Sequence, residues 1–137
     1  MFIRYLLAAA FAALSITTAS AAEPPAGKVS VVFDRSIPNL PGKSMKGVLV
    51  EYGPGAASPS HTHPKTAFIY ATVLEGSFHI KVKGQPEKIY NVGENFVEEP
   101  GSVHEVSANA SDTKPARLLA VFVLDSDEKE LVTPIKK

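Results

Sequence analysis

Two histidines one residue apart, His61 and His63, are the residues whose type and spacing most directly suggest chemistry. On an extended chain, side chains two positions apart point to the same face. At a rise of about 3.3 Å per residue the two Cα atoms lie roughly 6.5 Å apart, so both imidazoles can reach one small ion. The pair predicts a transition-metal site if another part of the chain supplies further ligands.

A third histidine, His104, follows a Pro-Gly turn in the segment GENFVEEPGSVHEVSAN (93–109). An antiparallel barrel that folds this segment beside residues 61–75 would bring His104 against the other two histidines. Neutral imidazole is the commonest transition-metal ligand in proteins. We therefore expect His61, His63 and His104 to bind one divalent transition metal (Fe, Mn, Ni, Cu or Zn) with coordination positions left open.

Glu98 is predicted to accompany the histidines as a catalytic residue. It lies two positions after Phe96, a natural core residue, so on a strand both side chains should point into the interior. A carboxylate buried there is costly unless it is paired, hydrogen-bonded or bound to a metal. Glu98 is accordingly a candidate fourth ligand, a partner of a ligand histidine, or a general base with a raised pKa. The alternative is that the strand twists and leaves Glu98 in solvent.

The fourth histidine, His79, is interpreted differently. In SFHIKVK (77–83) the apolar residues Phe78, Ile80 and Val82 alternate with His79 and two lysines. Because His79 shares the lysine face, we expect it to be solvated and not to bind the metal.

The elements that must position these residues are short β-strands. Turn-forming segments rich in Gly and Pro separate eight runs of β-forming residues, and no long helical pattern follows residue 21. The runs are 28–34, 46–52, 67–75, 77–83, 87–91, 95–99, 104–108 and 116–124. This rhythm predicts an all-β fold, a small antiparallel β-barrel of jelly-roll type with the first and last runs both in sheets. The charged tail after residue 124 is expected to be either a short edge segment or frayed.

Composition bounds the class of protein. Residues 1–21 have the layout of a secretory signal peptide, with Arg4, an apolar stretch and Ala19-Ser20-Ala21 as the cleavage motif, so we expect export to the periplasm or the medium and no membrane association after cleavage. Residues 22–137 then form one domain, with a core at about 28–124.

The absence of cysteine excludes thiolate chemistry. The 14 basic and 14 acidic residues form no basic tract, which argues against nucleic acid as a partner.

The histidine motifs resemble those of the cupin superfamily, and the chain looks like a single-domain exported bacterial cupin. The family's first motif, a glycine, five residues and H-x-H, matches Gly55 and then His61-Thr62-His63. Its second motif matches Gly93, Gly101 and His104 in spacing, with Asn109 one position late. The resemblance runs from about residue 37 to 124 and implies a jelly-roll barrel around a metal.

Two departures from the cupin pattern bear on the site. The family's first motif usually continues, after a further three or four residues, with a metal-binding glutamate, but Ala67 and Phe68 stand there. The proline of the second motif is replaced by Glu99, with Pro100 next to it. The usual acidic ligand is thus missing, and acids appear in the second motif instead.

Two functions remain open. The resemblance implies a small-molecule metalloenzyme of dioxygenase, isomerase or decarboxylase type, with Phe68, Tyr70, Phe78 and Phe96 either lining an apolar substrate pocket or serving as plain core. The alternative, which the missing glutamate favours, is a non-catalytic periplasmic module that binds a small ligand or metal. Because small cupins commonly dimerise and the run VSVVF is too apolar for an open edge, we also expect a homodimer.

Overall fold

Short antiparallel β-strands make up the regular structure of residues 22–136, the part of the chain that the computed structural model describes. The predicted signal peptide, residues 1–21, lies outside the described residues. Within 22–136 there is no helical segment of the length and hydropathy needed to cross a bilayer. The strands are β1 (Lys28–Ser36), β2 (Lys43–Tyr52), β3 (Ala57–Ser58), β4 (His61–Thr62), β5 (Phe68–Glu75), β6 (Ser77–Val82), β7 (Lys88–Asn91), β8 (Asn95–Glu98), β9 (Val103–Asn109), β10 (Ala116–Asp125) and β11 (Thr133–Pro134).

Two sheets face each other across the core. One has the order β1-β2-β10-β5-β8, and the other has the order β11-β4-β9-β6-β7, with β3 also pairing with β9. The predicted all-β jelly roll is confirmed, and the first and last predicted runs are both sheet strands. Sequence reasoning missed the two-residue strands β3, β4 and β11, which are too short to show alternation.

The core lies between the inner faces of the two sheets. Alternate residues of β5, β6 and β10 are buried there, as the period of a strand requires. Phe78 and Leu124 are fully buried, and Tyr52 is 2% exposed. Burying a large apolar side chain stabilises the fold by about 1.5–3 kcal/mol. This apolar wall encloses the site described below.

The tail after β10 is a short edge segment and is not frayed at β11. Thr133 and Pro134 pair with Thr62 and His61 of β4, and the backbone N–H of Ile135 donates to the Ser60 carbonyl at 2.9 Å. The tail therefore borders the histidine segment.

Candidate metal centre

Strand register brings the three predicted histidines together. His61 on β4 lies directly opposite His104 on β9, and side chains in such a cross-strand pair are neighbours on one face. His63 follows just after β4, where its backbone N–H donates to the Ser102 carbonyl at 3.1 Å. All three side chains are at least nine-tenths buried.

The ring nitrogens of His61, His63 and His104 converge on one point. Each ring contributes one nitrogen to a set of three, and these three nitrogens lie within 4.8 Å of one another. Three atoms so spaced are all within about 2.8 Å of a common centre, and metal–nitrogen bonds are about 2.0–2.1 Å for zinc. Small adjustments of the rings would therefore seat one ion.

Hydrogen bonds to backbone carbonyls orient the rings of His61 and His63, so that Nε2 of each ring faces the site. Nδ1 of His61 hydrogen-bonds the Pro59 carbonyl, and Nδ1 of His63 hydrogen-bonds the Leu131 carbonyl, both at 2.8 Å. A carbonyl only accepts, so each Nδ1 carries the proton and each Nε2 keeps its lone pair. This arrangement fixes the tautomer of a metal-ligating histidine.

Glu98 points into the interior from β8, where it lies opposite Ile69 of β5. Its Oε1 is 3.3 Å from Nδ1 of His104, its Oε2 is 3.2 Å from Nε2 of His63, and its side chain is 4% exposed. Ser102 Oγ also donates to Oε2 at 3.2 Å. The carboxylate thus contacts two of the three histidines from the opposite sheet and stands beside the nitrogen cluster.

Protonation equilibria in the site reflect burial and the Glu98 charge. Burial lowers the pKa of His61. Burial also acts to lower the pKa of His63, but the neighbouring Glu98 carboxylate outweighs it, so the pKa of His63 is raised. Burial acts to raise the pKa of Glu98, yet His104 and His63 hold that pKa well below its usual range. Of the three roles considered for Glu98, the general base with a raised pKa is not supported, because two basic neighbours stabilise the carboxylate.

The donors in this centre fit a divalent transition metal. Nε2 of His63 and Nε2 of His104 are buried and lack a hydrogen-bond partner among residues 22–136; the contact of His63 Nε2 with Glu98 does not have hydrogen-bond geometry. A buried polar group without a partner costs about 1–3 kcal/mol. A cation would satisfy both nitrogens and offset the buried carboxylate. Imidazole and carboxylate donors suit first-row ions.

The centre opens into an apolar cavity of about 260 Å³. Phe96, Leu118 and Phe122 contribute to its wall, and besides the site residues its polar groups are the hydroxyls of Tyr52, Ser58 and Ser107. These hydroxyls hydrogen-bond to one another, with Tyr52 in contact with both serines. Among residues 22–136, no lysine or arginine lines the cavity.

Two aromatic predictions are wrong. Phe68 and Tyr70 are 42% and 40% exposed on the outer face of β5 and do not line the cavity, because Ile69 and Ala71 occupy the inner face. Phe96 lines the cavity, and Phe78 is plain core.

The residues outside the nitrogen cluster are where the predicted and observed sites differ. His79 is kept out of the cluster, as predicted, and its Nε2 contacts Glu87 on the outer face. Sequence reasoning missed Pro59 and Leu131, which act through backbone carbonyls that carry no sequence signal. It also missed Ser102, whose place in a turn four residues after Glu98 could have suggested a local hydrogen bond.

Comparisons with known proteins agree with this architecture. The family model described as Cupin domain matches residues 48–122. Germin-like protein 5-1 of Oryza sativa subsp. japonica is 33% identical over 101 residues, covering 68% of this chain and 44% of that protein. The chain spans about half the length of the curated relatives it matches.

Solved structures share the fold. A conserved protein with a double-stranded β-helix domain from Klebsiella pneumoniae superimposes with a TM-score of 0.62 at 20% identity, covering 82% of this chain and 86% of that one. An oxalate oxidase superimposes with a TM-score of 0.58 at 21% identity, covering 78% of this chain and 55% of that one.

Proposed function

Because the chain belongs to the cupin family, we propose that it is a metal-dependent enzyme that converts a small molecule, with one divalent ion held by His61, His63 and His104. The observation that carries this proposal is the buried, convergent set of histidine nitrogens, two of them without hydrogen-bond partners among the described residues. Three histidine ligands would leave coordination positions for a substrate oxygen. When bound there, the ion supplies Lewis-acid activation of a substrate oxygen, which suits dioxygenase, isomerase or decarboxylase chemistry.

Glu98 is proposed to act on both the histidines and the substrate. Its Oε1, 3.3 Å from Nδ1 of His104, lies where it would take up the proton of that nitrogen and keep Nε2 inward. Its second oxygen, held by Ser102, faces His63 and is the available acceptor for a substrate proton. This assignment also explains why the family glutamate can be replaced by the buried Ala67: the interior keeps one carboxylate, supplied by the other motif.

The cavity wall supports a proposal for the substrate class. Its volume of about 260 Å³ is below the roughly 300–1,000 Å³ of pockets for drug-sized ligands. Glu98 is negative, and no cationic side chain of residues 22–136 lines the cavity. We propose a small substrate with an apolar body and one oxygen group that binds the metal, such as an enol or enediol. A dianion such as oxalate, the substrate named for the structural relative, would have only the metal to neutralise it.

The experiment begins with elemental analysis of protein purified from its native compartment. We expect stoichiometric Fe, Mn, Ni, Cu or Zn, and turnover of enols or enediols, measured as substrate loss with and without O₂. The variant Ala71→Leu should keep the metal and lose turnover, because Ala71 lines the cavity. The variant His104→Ala should lose both.

A non-catalytic binding module is the second candidate, and Ala67 at the family's glutamate position favours it. A folded protein that binds an enol or a metal and releases it unchanged would establish the module and overturn the enzyme proposal. An enzyme that prefers oxalate over every enol tested would refute the substrate class alone.

A further inference from the structure

We infer that the hydroxyls of Tyr52, Ser58 and Ser107, termed the hydroxyl cluster, form a second binding subsite in the cavity, which takes an uncharged hydrogen-bond acceptor of the substrate. This inference rests on the proposed function and adds a second anchoring point to the proposed substrate. All three residues line the cavity, and Tyr52 and Ser107 are only 2% and 7% exposed. Polar groups buried this deeply need hydrogen-bond partners. The bonds within the cluster therefore decide whether it can also bind a ligand.

The hydroxyl cluster holds one more proton than its own hydrogen bonds use. The Tyr52 hydroxyl contacts Oγ of Ser58, and it contacts Oγ of Ser107 at 3.1 Å. Three hydroxyls carry three protons, and two contacts use two of them whichever atoms donate. These hydroxyls make no other hydrogen bond within residues 22–136. One O–H group is therefore left to donate, and it belongs to a residue that lines the cavity.

An uncharged ligand oxygen is the acceptor that suits this remaining proton. In the free protein a water molecule can accept it, and a ligand oxygen that replaces the water keeps the hydrogen bond. No lysine or arginine of residues 22–136 lines the cavity, and the Glu98 carboxylate lies on its wall. Burying a second anion there without a cationic partner costs far more than burying a carbonyl or a hydroxyl. The subsite therefore fits a carbonyl, ether or hydroxyl oxygen.

Strand register places the hydroxyl cluster at a set distance from the histidines. Ser58 of β3 lies opposite Ser107 of β9, as His61 of β4 lies opposite His104. Side chains three positions apart on a regular strand face opposite sides. However, β9 carries one extra residue, Glu105, in its register with β6, and this bulge turns His104 and Ser107 to the same inner face. At about 3.3 Å per residue, the two cross-strand pairs are at most roughly 10 Å apart.

The cavity wall between the histidines and the hydroxyl cluster is apolar. On the five-stranded sheet, the Phe122 ring packs against the His63 ring with centroids 5.5 Å apart, and Tyr52 stands at the far end of β2. The cavity-lining residues between these two positions along β2 and β10 are Val48, Val50, Leu118 and Ala120. A ligand that reaches both ends needs an apolar segment between two polar groups. The substrate class is thus an enol or enediol with a second, uncharged oxygen at its other end.

The Tyr52 side chain is held in place without a ligand. Its ring packs against Phe78 with centroids 5.3 Å apart. It also occupies the space beside Gly27, where any side chain would collide with the ring. A hydroxyl on a fixed ring loses little conformational entropy when a ligand binds, which favours binding.

The test compares two ligands that differ only at the end remote from the enediol. Both 3,4-dihydroxybenzyl alcohol and 4-ethylcatechol carry the same enediol, but the alcohol has an oxygen where the other has a methyl group. The full chain is loaded with Zn²⁺, which has no redox chemistry, and each dissociation constant is measured by calorimetry. We expect the alcohol to bind about 5-fold more tightly, as one additional hydrogen bond provides.

A triple variant, Tyr52→Phe with Ser58→Ala and Ser107→Ala, removes the hydroxyl cluster. All three changes are needed because any hydroxyl that remains keeps a free proton. The fold should persist, since donors and acceptors are removed together. We expect the preference for the alcohol to disappear, with Zn²⁺ content and 4-ethylcatechol affinity unchanged. Ser44→Ala is the matched control: it removes a buried hydroxyl that bonds Ser126 outside the cavity, and the preference should remain.

Equal affinities for the two ligands in the native chain would overturn the inference, and this comparison requires no variant. A preference that the folded triple variant retains would also overturn it. Tighter binding of the anion 3,4-dihydroxybenzoate than of the alcohol would refute an uncharged acceptor. The proposed function fails separately. A chain that binds no metal but still prefers the alcohol would support the subsite and refute the metalloenzyme, whereas an active metalloenzyme without the preference would do the reverse.

Discussion

Oε2 of Glu98 lies 3.2 Å from Nε2 of His63, the ring nitrogen that remains free because Nδ1 is bonded to the Leu131 carbonyl. A carboxylate oxygen and a lone pair at this distance repel each other unless a proton or a cation lies between them. The contact between Oε2 of Glu98 and Nε2 of His63 therefore requires a nearby positive charge. In the proposed enzyme, an ion held by the three histidines would supply that charge next to Glu98.

Removing a histidine of the cluster should remove the metal. We expect His61→Ala and His104→Ala to lose most of the bound ion, because each takes one of the three convergent nitrogens from the site. The fold should persist, since the core consists of apolar strand residues. Metal per chain is measured by elemental analysis after dialysis. His79→Ala is the control, and equal metal loss in that variant would refute the assignment.

Replacing Glu98 with glutamine separates a ligand from a partner of the ligands. Glu98→Gln retains a carbonyl oxygen near Nδ1 of His104 but removes the negative charge beside His63. We expect metal to bind about 10–100-fold more weakly, the usual cost of losing a group that supports a ligand, and turnover to fall further. Metal affinity is measured by competition with a chelator. Complete loss of binding at saturating metal would instead identify Glu98 as a fourth ligand.

Metal affinity should fall as the pH is lowered. Metal and proton compete for the same histidine nitrogens. Because Glu98 raises the pKa of His63, protons compete there from above the ordinary value of about 6.5, whereas burial lowers the pKa of His61, where protons compete at lower pH. The apparent dissociation constant should therefore rise first between pH 8 and 6 and more steeply below. An affinity that stays constant from pH 8 to 5 would contradict histidine ligation.

The C-terminal segment should affect the metal affinity of the site. Ile135→Pro removes the N–H that donates to the Ser60 carbonyl, which loosens β11 and with it the Leu131 carbonyl that holds His63. We expect metal affinity to fall by roughly 10-fold, at the low end for a supporting interaction. Ile135→Ala keeps the N–H and is the matched control, since Ile135 is 43% exposed. Equal affinities in the two variants would show that β11 does not support the site.

The sequence predicts the histidines better than the aromatic residues, for a physical reason. Motif spacing and strand period place His61, His63 and His104 together without knowledge of the loops, and the period of 2 turns Glu98 inward with Phe96. In β5 both alternating sets are apolar: Ile69, Ala71 and Val73 face the core, and Phe68 and Tyr70 face outward. The alternation of side chains along a strand shows which face is buried only when the two faces differ in polarity. Because both faces of β5 are apolar, alternation alone did not show which face lines the cavity.

The Leu131 carbonyl also makes the metal centre dependent on the order of assembly. His61 and His63 leave the ribosome well before Leu131, which lies 68 residues downstream of His63. Until that segment folds back, the imidazole of His63 lacks the hydrogen bond that fixes its orientation. In the proposed enzyme, metal binding by the finished geometry would therefore follow folding. The metal supply of the compartment where folding ends would then bear on which ion is bound.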